Sequence, residues 1–511
     1  MKNFTFLFVA CFVFFASVAK AQYTVKWCDT ANVGLPQDMA IDPGGIIGLN
    51  GKVFTNGYYA NSGIFGLDTA GNFLWQTNYG TEPIFPREIN VTPYHQFVTS
   101  GEYENTFGTS TVYANAYNMN GDSVSGAIQQ SSGFNHNDEF AHAVMDSQGI
   151  MYVGGASTRM GFVSSAITRF DTGCQNRWND TLTGTFASIT TGTVIVGDTA
   201  IYNLVATNHV YGYFGVSRYD TSGNILWFHD SIAYSNSNFH TCFVADKQGD
   251  LIFGAGYFNG FGLTKVDPMG DTVWSRSLSY PGLLANTGVV NTILTDDSSN
   301  IYAFGDHNGL TPYYSLVAKY SPSGSLMWMD TIMADYSIHA GKNHEHVNLH
   351  DGRITVIQSG GPMSRIYQYD LNGQRVMDTA LVLMGSLHSL EVEAMEFFNG
   401  DLYIAGINKN GPLYDYTPFV ARLGMPAVQT AVANIEKPKA LLYPNPVSDL
   451  LHFPANAANE VVIMDVAGHI CISEKNSSGV LNVGKLVPGI YQLIIGDSKG
   501  GTIFKERFFK R

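Results

Sequence analysis

The feature that most constrains this 511-residue chain is a spacing that returns along most of its length: an aspartate, a glycine three residues on, and a tryptophan four after that. It reads Asp68, Gly71, Trp75, then Asp220, Gly223, Trp227, then Asp267, Gly270, Trp274. Ser321, Gly324 and Trp328 keep it with Ser for Asp, Asp370 and Gly373 keep it with Met377 for Trp, and Asp171 and Trp178 keep it with Cys174 for Gly. Asn118, Gly121 and Ser125 form the most degenerate copy. Asp at the first position of a turn and Gly at the fourth mark a type I turn. The residues flanking Asp220 and Gly223, Val216 and Tyr219 before and Ile225, Leu226 and Trp227 after, favour strands. Each copy is therefore a hairpin, and successive copies lie 47 to 54 residues apart.

A second motif alternates with the first: a polar turn, an alternating strand, then small residues, as in Gln148–Gly155. It recurs at Gly51–Gly57, His95–Gly101, Thr199–Ala206, Gly249–Gly256, Ser299–Gly305, Gly352–Ser359 and Gly400–Gly406. Two hairpins, hence four short strands, in about 50 residues make the period of a β-propeller blade. The expectation is an all-β chain with an eight-bladed propeller over residues 22–424; seven blades is the alternative, because the Asn118 copy is degenerate. A right-handed β-helix would need a shorter period.

The last repeat stops after the strand Phe419–Leu423, with no tryptophan strand of its own. The segment Val25-Lys26-Trp27-Cys28-Asp29-Thr30 matches the ends of other repeats, such as Leu326-Met327-Trp328-Met329-Asp330-Thr331. The N-terminal strand is therefore expected to complete the last blade and to leave no open sheet edge. All six tryptophans then share one blade position. Each would bury roughly 150–250 Å² between neighbouring blades, a structural role rather than one of stacking on a ligand. Composition agrees: only 14% of residues are charged, against 54 Gly, 28 Tyr and 32 Phe, which suits sheets and tight turns. A net charge of −14 argues against nucleic acid and leaves cations, basic proteins and neutral glycans open.

Residues 1–21 read as a secretory signal: Lys2, the apolar run Phe4–Val18, and the Ala19-Lys20-Ala21 cleavage site, leaving Gln22 first in the mature chain. No other stretch is long and apolar enough for a transmembrane helix. Cys11 lacks the leucine and the context of a lipoprotein cysteine. Cys28, Cys174, Cys242 and Cys471 share no motif spacing and are expected as buried free thiols, although export would permit a disulfide.

The Asp–Gly–Trp repeat resembles those of the quinoprotein-like (PQQ-like) propellers and related bacterial surface propellers. The quinone-dependent dehydrogenases of that superfamily carry an adjacent cysteine pair; none is present here, so their chemistry is not carried over. Kelch and WD-repeat propellers fit less well, since only Gly154-Gly155 looks kelch-like and no Trp-Asp pair ends a blade. Residues 425–440 read as a linker. Residues 441–511 change character: Tyr443-Pro444-Asn445-Pro446 opens them, Asp465-Val466-Ala467-Gly468 and Pro488-Gly489-Ile490-Tyr491 come next, and Lys505, Arg507, Lys510 and Arg511 close them. This segment resembles the type A C-terminal sorting domain of the Bacteroidetes type IX secretion system. The resemblance implies a small β-sandwich, contact with that secretion machinery, and a secreted or cell-surface location.

Propellers hold ligands at the mouth of the central channel. Counting seven residues back from the turns of the second motif puts Glu88, His142, Cys242, Thr292, Glu345 and Glu393 in one polar ring, which Asp38 joins when Gly45 is taken as the first blade's anchor, with Arg87, His240, Asn291, His344, His346 and Glu391 beside it. His344 and His346 alternate on a strand and so point to one face, which leaves room for a divalent metal; no other cofactor is expected. Asp296-Asp297-Ser298-Ser299-Asn300 lacks the Gly and terminal Glu of an EF-hand loop and reads as a solvated turn. The function expected is a non-catalytic binding or adhesion module for protein or glycan. The alternative is a secreted polysaccharide hydrolase or lyase that would use the same ring as acid and base.

Overall fold

A computed structural model describes residues 23–511, apart from 31–33, 56–57, 80–83, 105–109, 129–135, 160–161, 183–187, 208–212, 235–241, 258–259, 279–287, 308–312, 335–346, 360–363, 384–388, 410–415, 427–446, 454–458, 466–468, 477 and 497–501. The expected signal peptide and most of the expected linker, with the Tyr443-Pro444-Asn445-Pro446 entry, lie outside the described residues. The chain divides into two compact units, Met1–Ala427 and Val428–Arg511. Every regular element described is a strand.

In the first unit the described strands form eight four-stranded antiparallel sheets. Seven take their strands in simple succession, as the first does with Leu35–Ile41, Ile46–Thr55, Tyr58–Asp68 and Phe73–Asn78. The degenerate Asn118 copy still belongs to a complete second sheet, whose first and last strands are Ile84–Val91 and Ser123–Ile128. The eighth sheet differs: Ser389–Phe398, Asp401–Lys409 and Tyr416–Gly424 are joined at the outer edge by Thr24–Asp29, from the other end of the chain. Thr24 pairs with Gly424 and Asp29 with Val420. The first strand of each sheet packs on the first strand of the next, and Ser389–Phe398 packs on Leu35–Ile41.

The Asp–Gly spacing builds the turn it predicts. In the first sheet Gly71 N donates to Asp68 O at 3.0 Å, and Asp68 N donates to Asn72 O at 3.0 Å. Asp68 Oδ1 accepts from the amides of Ala70 and Asn72. Gly71 has φ +87°, a left-handed conformation that a side chain disfavours.

Each such glycine also lies beneath an indole of the preceding sheet. A Cβ on Gly71 would stand 2.8 Å from Trp27 Cδ2, on Gly121 2.5 Å from Trp75 Cε3, and on Gly223 2.8 Å from Trp178 Cδ2. Gly324 meets Trp274 and Gly373 meets Trp328 in the same way. The indole N–H then reaches a carbonyl of the turn it covers: Trp27 to Thr69 O at 3.0 Å, Trp75 to Met119 O at 2.7 Å, Trp178 to Thr221 O at 3.2 Å, Trp274 to Pro322 O at 3.1 Å and Trp328 to Leu371 O at 3.1 Å. At Gly270 the ring of His229 stands nearest, with Trp227 Cη2 beside it.

One seam replaces both partners together. The second sheet ends with Ser125 where six of the others carry Trp, and the third sheet's turn has Cys174, at φ +54°, where the other repeats carry Gly. With no indole to cover it, the turn has room for a side chain. The Cys174 thiol lies beside Ser125 and burial pushes it up to about 12. Cys174 and Cys242 are buried, Cys28 is half-buried and Cys471 is exposed; all four are free.

The second unit has the sheet Ile470–Asn476, Asn459–Asp465, Gly489–Gly496, Thr502–Lys510 and a two-stranded sheet of Leu450–His452 with Val480–Asn482. Val447, Leu451, Val461, Ile463, Leu493 and Phe508 make up most of its core. Gly489 begins a strand, and Tyr491 stacks on Phe508 while its hydroxyl donates to Val487 O at 2.9 Å, which accounts for the Pro-Gly-Ile-Tyr signature.

Two outcomes test the seam. Gly223→Ala adds a Cβ in a left-handed turn beneath Trp178 and is expected to cost about 2 kcal/mol or more in chemical unfolding. Ser125→Trp alone is expected to destabilise, because its indole meets the Cys174 side chain. Adding Cys174→Gly should restore at least wild-type stability.

Candidate functional site

The first strand of a sheet has a ladder partner on one side only, so its outward amides need acceptors from elsewhere. In six sheets this strand carries a bulge, at Gln37, Arg87, Ala141, Thr191, Asn291 and Glu393. A bulge puts two residues opposite one and re-aims the next side chain along the strand. The residue after it is Asp38, opposite Asn50; Glu88, opposite Ser100; His142, opposite Gly154; Gly192; Thr292; or Ala394.

Five members of the expected ring are thus described in phase, counting Cys242 opposite Gly254. Glu393 is one place out, because it is the bulged residue and Ala394 holds the position of Asp38. The cause lies in the turn. Asp42–Gly45 is a longer connection, closed by Gly45 N donating to Asp42 O. The eighth sheet turns on Asn399 and Gly400 alone, both at positive φ, between the paired residues Phe398 and Asp401. One residue fewer shifts a count made back from the turn. His240, Glu345 and the proposed metal ligands His344 and His346 lie outside the described residues. Among the described residues no group of three or more His, Cys, Asp or Glu is arranged to hold a metal.

The carboxylates in phase stitch neighbouring sheets. Asp38 Oδ2 accepts from Ile89 N at 2.9 Å, on the next sheet, while Oδ1 accepts from Met39 N at 2.8 Å. Glu88 Oε2 accepts from Ala143 N at 3.0 Å, one sheet further on, and Glu88 Oε1 lies 3.7 Å from His142 Nε2. Each acid satisfies the amide just past the next sheet's ring residue. Cys242 Sγ donates to Val290 O at 3.6 Å across a later seam, and burial raises its thiol far above the ordinary range.

The turns closing the same strands are tied in sequence too. His95 Nδ1 lies 2.8 Å from Asp42 Oδ1, Ser147 N donates to Asp198 Oδ1 at 3.1 Å, and Lys247 Nζ lies 3.0 Å from Asp297 Oδ1. The Asp296 turn is internally satisfied, its carboxylate accepting from Ser298 N, Asn300 N, Asn300 Nδ2 and the Tyr302 hydroxyl.

A cavity of about 410 Å³ opens along the first strands of five successive sheets. Asp38, Glu88, Asn90, His142 and Thr193 are its polar lining, and the rest is apolar, Phe243 the largest side chain among it. Glu396, two residues beyond Ala394 on the same strand face, was not among the residues singled out by sequence. Burial, and then the charge of Asp38, push its carboxyl up to about 7. Its signal was present: the corresponding positions of the third, fourth and fifth sheets hold Val144, Val194 and Val244, so an acid there is out of pattern.

Residues 441–508 match the family of secretion system C-terminal sorting domains. The C-terminal unit is a type IX secretion sorting domain, and it implies export to a secreted or cell-surface location. No curated protein matches the sequence. Among solved structures the chain is similar to BamB from Moraxella catarrhalis, at 13% identity over 80% of this chain and 99% of that one, with a TM-score of 0.41. It is similar to PorZ, a surface component of the type IX secretion system of Porphyromonas gingivalis, at 12% identity over 93% and 81%, with a TM-score of 0.36. It is similar to the periplasmic gluconolactonase PpgL of Pseudomonas aeruginosa, at 11% identity over 65% and 95%, with a TM-score of 0.44. These likenesses carry no activity to this chain. Among the described residues no helix is long and apolar enough to cross a membrane.

Glu396 gives a pH test. Its carboxyl holds a proton more tightly folded than unfolded, so its contribution to stability is fully present below its ordinary value of 4.5 and is lost as pH rises to about 7. The melting temperature of the wild type is expected to fall across that window more steeply than that of Glu396→Gln. Equal slopes in a thermal shift series would show that Glu396 is not held in this environment.

Proposed function

We propose that the first unit is an eight-bladed β-propeller closed by its N-terminal strand, exported through the type IX pathway, and working as a non-catalytic binding module for protein or glycan. Support for closure comes from several contacts at one seam. Trp27 covers Gly71 of the first sheet, Arg422 Nη1 donates to Thr69 O at 2.8 Å, and Lys26 Nζ lies 2.7 Å from Asp401 Oδ2. The Tyr23 hydroxyl donates to Ala380 O at 2.9 Å and accepts from Val382 N at 2.6 Å, anchoring the strand's start to the segment after the seventh sheet.

The observation that carries the binding reading is the use of the ring carboxylates. Asp38 and Glu88 are committed to backbone amides of the next sheet, which orders the wall of a cavity rather than poising an acid and a base. A volume of about 410 Å³ with a wall of mixed polar and apolar side chains is within the range of small-ligand sites. A second reading, hydrolase or lyase, draws on one observation: Glu396 with a raised pKa near Asp38 resembles the split carboxyl pairs of acid–base enzymes.

Two measurements test these readings. Trp27→Ala is expected to destabilise by about 3 kcal/mol, as much as Trp328→Ala, if both indoles seal equivalent seams; a neutral Trp27→Ala would remove closure. The mature chain is expected to retain hits on glycan and protein arrays without turning over a polysaccharide panel. Turnover that Glu396→Gln abolishes would overturn the binding reading.

A further inference from the structure

Where Asn precedes Gly, the glycine nitrogen can close on the asparagine side-chain carbonyl, because glycine has no Cβ to obstruct the approach. Four such pairs have both members among the described residues: Asn50-Gly51, Asn120-Gly121, Asn372-Gly373 and Asn399-Gly400. Three are guarded. Asn50 is buried within a strand, and a Cβ on Gly51 would stand 2.1 Å from Leu35 O. Gly121 N donates to Asn118 O at 3.0 Å, and the glycine lies under Trp75. Gly373 N donates to Asp370 O at 3.1 Å, and the glycine lies under Trp328.

The fourth pair has neither guard. Phe398 and Asp401 pair directly, so Asn399 and Gly400 are the whole loop between their strands. Both have positive φ, +51° and +79°, as in the two-residue hairpin turn that Asn-Gly favours. Among the described residues neither the Gly400 amide nor the Asn399 side chain has a hydrogen-bond partner. Both residues are exposed, and a Cβ on Gly400 would meet nothing within 4 Å. The flanks of this loop hold the eighth sheet to its neighbours. Asp401 Oδ2 accepts from Lys26 Nζ of the N-terminal strand at 2.7 Å and from Arg422 Nε at 2.7 Å. The Phe398 ring lies against the first sheet's turn, 3.8 Å from where a Cβ on Gly45 would stand.

We propose that Asn399 is a site of spontaneous deamidation, and that its conversion loosens the hold of the eighth sheet on the N-terminal strand. The Gly400 nitrogen gives its proton to solvent and bonds to Asn399 Cγ. The bond from Cγ to the side-chain nitrogen then breaks, and that nitrogen takes a proton from water and leaves as ammonia. Water opens the resulting cyclic imide at either carbonyl, which leaves aspartate or isoaspartate at this position. Water is consumed and ammonia released; nothing is oxidised or reduced. Either product puts a new negative charge two residues from Asp401. Isoaspartate also adds a methylene to the main chain, in a loop with only two residues to absorb it. The strain falls on Phe398 and Asp401, which carry the contacts to the first sheet and to Lys26. This chemistry is independent of what the cavity binds.

The test ages the intact mature chain in mildly alkaline buffer and follows each Asn-Gly peptide by mass spectrometry, with aspartate and isoaspartate resolved by chromatography. Asn399 is expected to convert at least about fivefold faster than Asn120 or Asn372, the factor that one turn hydrogen bond of ordinary strength supplies. Its rate should rise with pH, since the attacking nitrogen must lose its proton. The melting temperature of the aged wild type is expected to fall. Asn399→Gly makes a Gly-Gly loop that accepts the same conformation, so it should fold normally and, aged in parallel, keep more of its melting temperature. A short peptide spanning Phe398–Asp401 reports the chemistry without the fold. If that peptide converts and Asn399 of the folded chain does not, or if Asn120 or Asn372 keeps pace with Asn399, the assignment is overturned. If Asn399 converts but the aged wild type and the aged Asn399→Gly melt alike, the effect on the eighth sheet is overturned.

Discussion

An indole laid over the glycine of the neighbouring sheet's turn is the contact on which the first unit depends. A four-stranded sheet cannot bury both of its faces alone, so each must be covered by a neighbour. The tryptophan covers apolar surface and reaches a turn carbonyl with its N–H, as Trp178 does at Thr221 O. The glycine opposite answers two demands, a left-handed backbone and a flat surface for the ring. The exceptions obey the same logic. Ser125 faces Cys174, so the large partner and the absent side chain disappear together. Met377 has no turn glycine to cover, because the last two strands of the eighth sheet come from opposite ends of the chain; it packs instead among Phe419, Ala421 and Leu423.

The second constraint is the edge strand. The first strand of a sheet has outward amides to satisfy, and in the first two sheets the bulge aims a carboxylate at an amide of the next. Asp38 and Glu88 therefore belong to the backbone's hydrogen bonding as much as to any site. This explains why Asp38 and Glu88 stand where an apolar strand start would be expected.

The sequence made a large part of this legible. Asp68 and Gly71 announce their turn, and Trp75 the cover of the next sheet's turn, because both depend on side chains that few other residues can replace. The likeness of Val25–Thr30 to the ends of other repeats pointed to the strand that joins the eighth sheet. The phase of the ring was only partly legible. Asp38, Glu88 and His142 fell into place because their turns have one length, whereas Glu393 slipped because the Asn399–Gly400 turn is shorter. Turn length is set by backbone conformation, which a spacing count does not see. Glu396 escaped notice for another reason: within Glu391–Phe398 it reads as one more polar position of an alternating strand, and its nearness to Asp38 of the first sheet is a tertiary relation that no spacing shows.

The ladder between Thr24 and Gly424 joins residues 400 apart in sequence. Every other sheet of the unit pairs strands that are close in the chain and can form as soon as they exist, whereas this one must wait. Contacts of such separation are slow to form, since loop closure is paid before any reward arrives. Thr24–Asp29 must therefore wait for a partner that lies about 400 residues further along the chain. A chain interrupted before residue 416 has no edge on which Thr24–Asp29 can dock, and an unpaired strand invites aggregation. A chain that has Tyr416–Gly424 needs fewer than ninety further residues to carry the sorting domain as well. The pairing of Thr24–Asp29 with Tyr416–Gly424 thus depends on the last strand before the sorting domain.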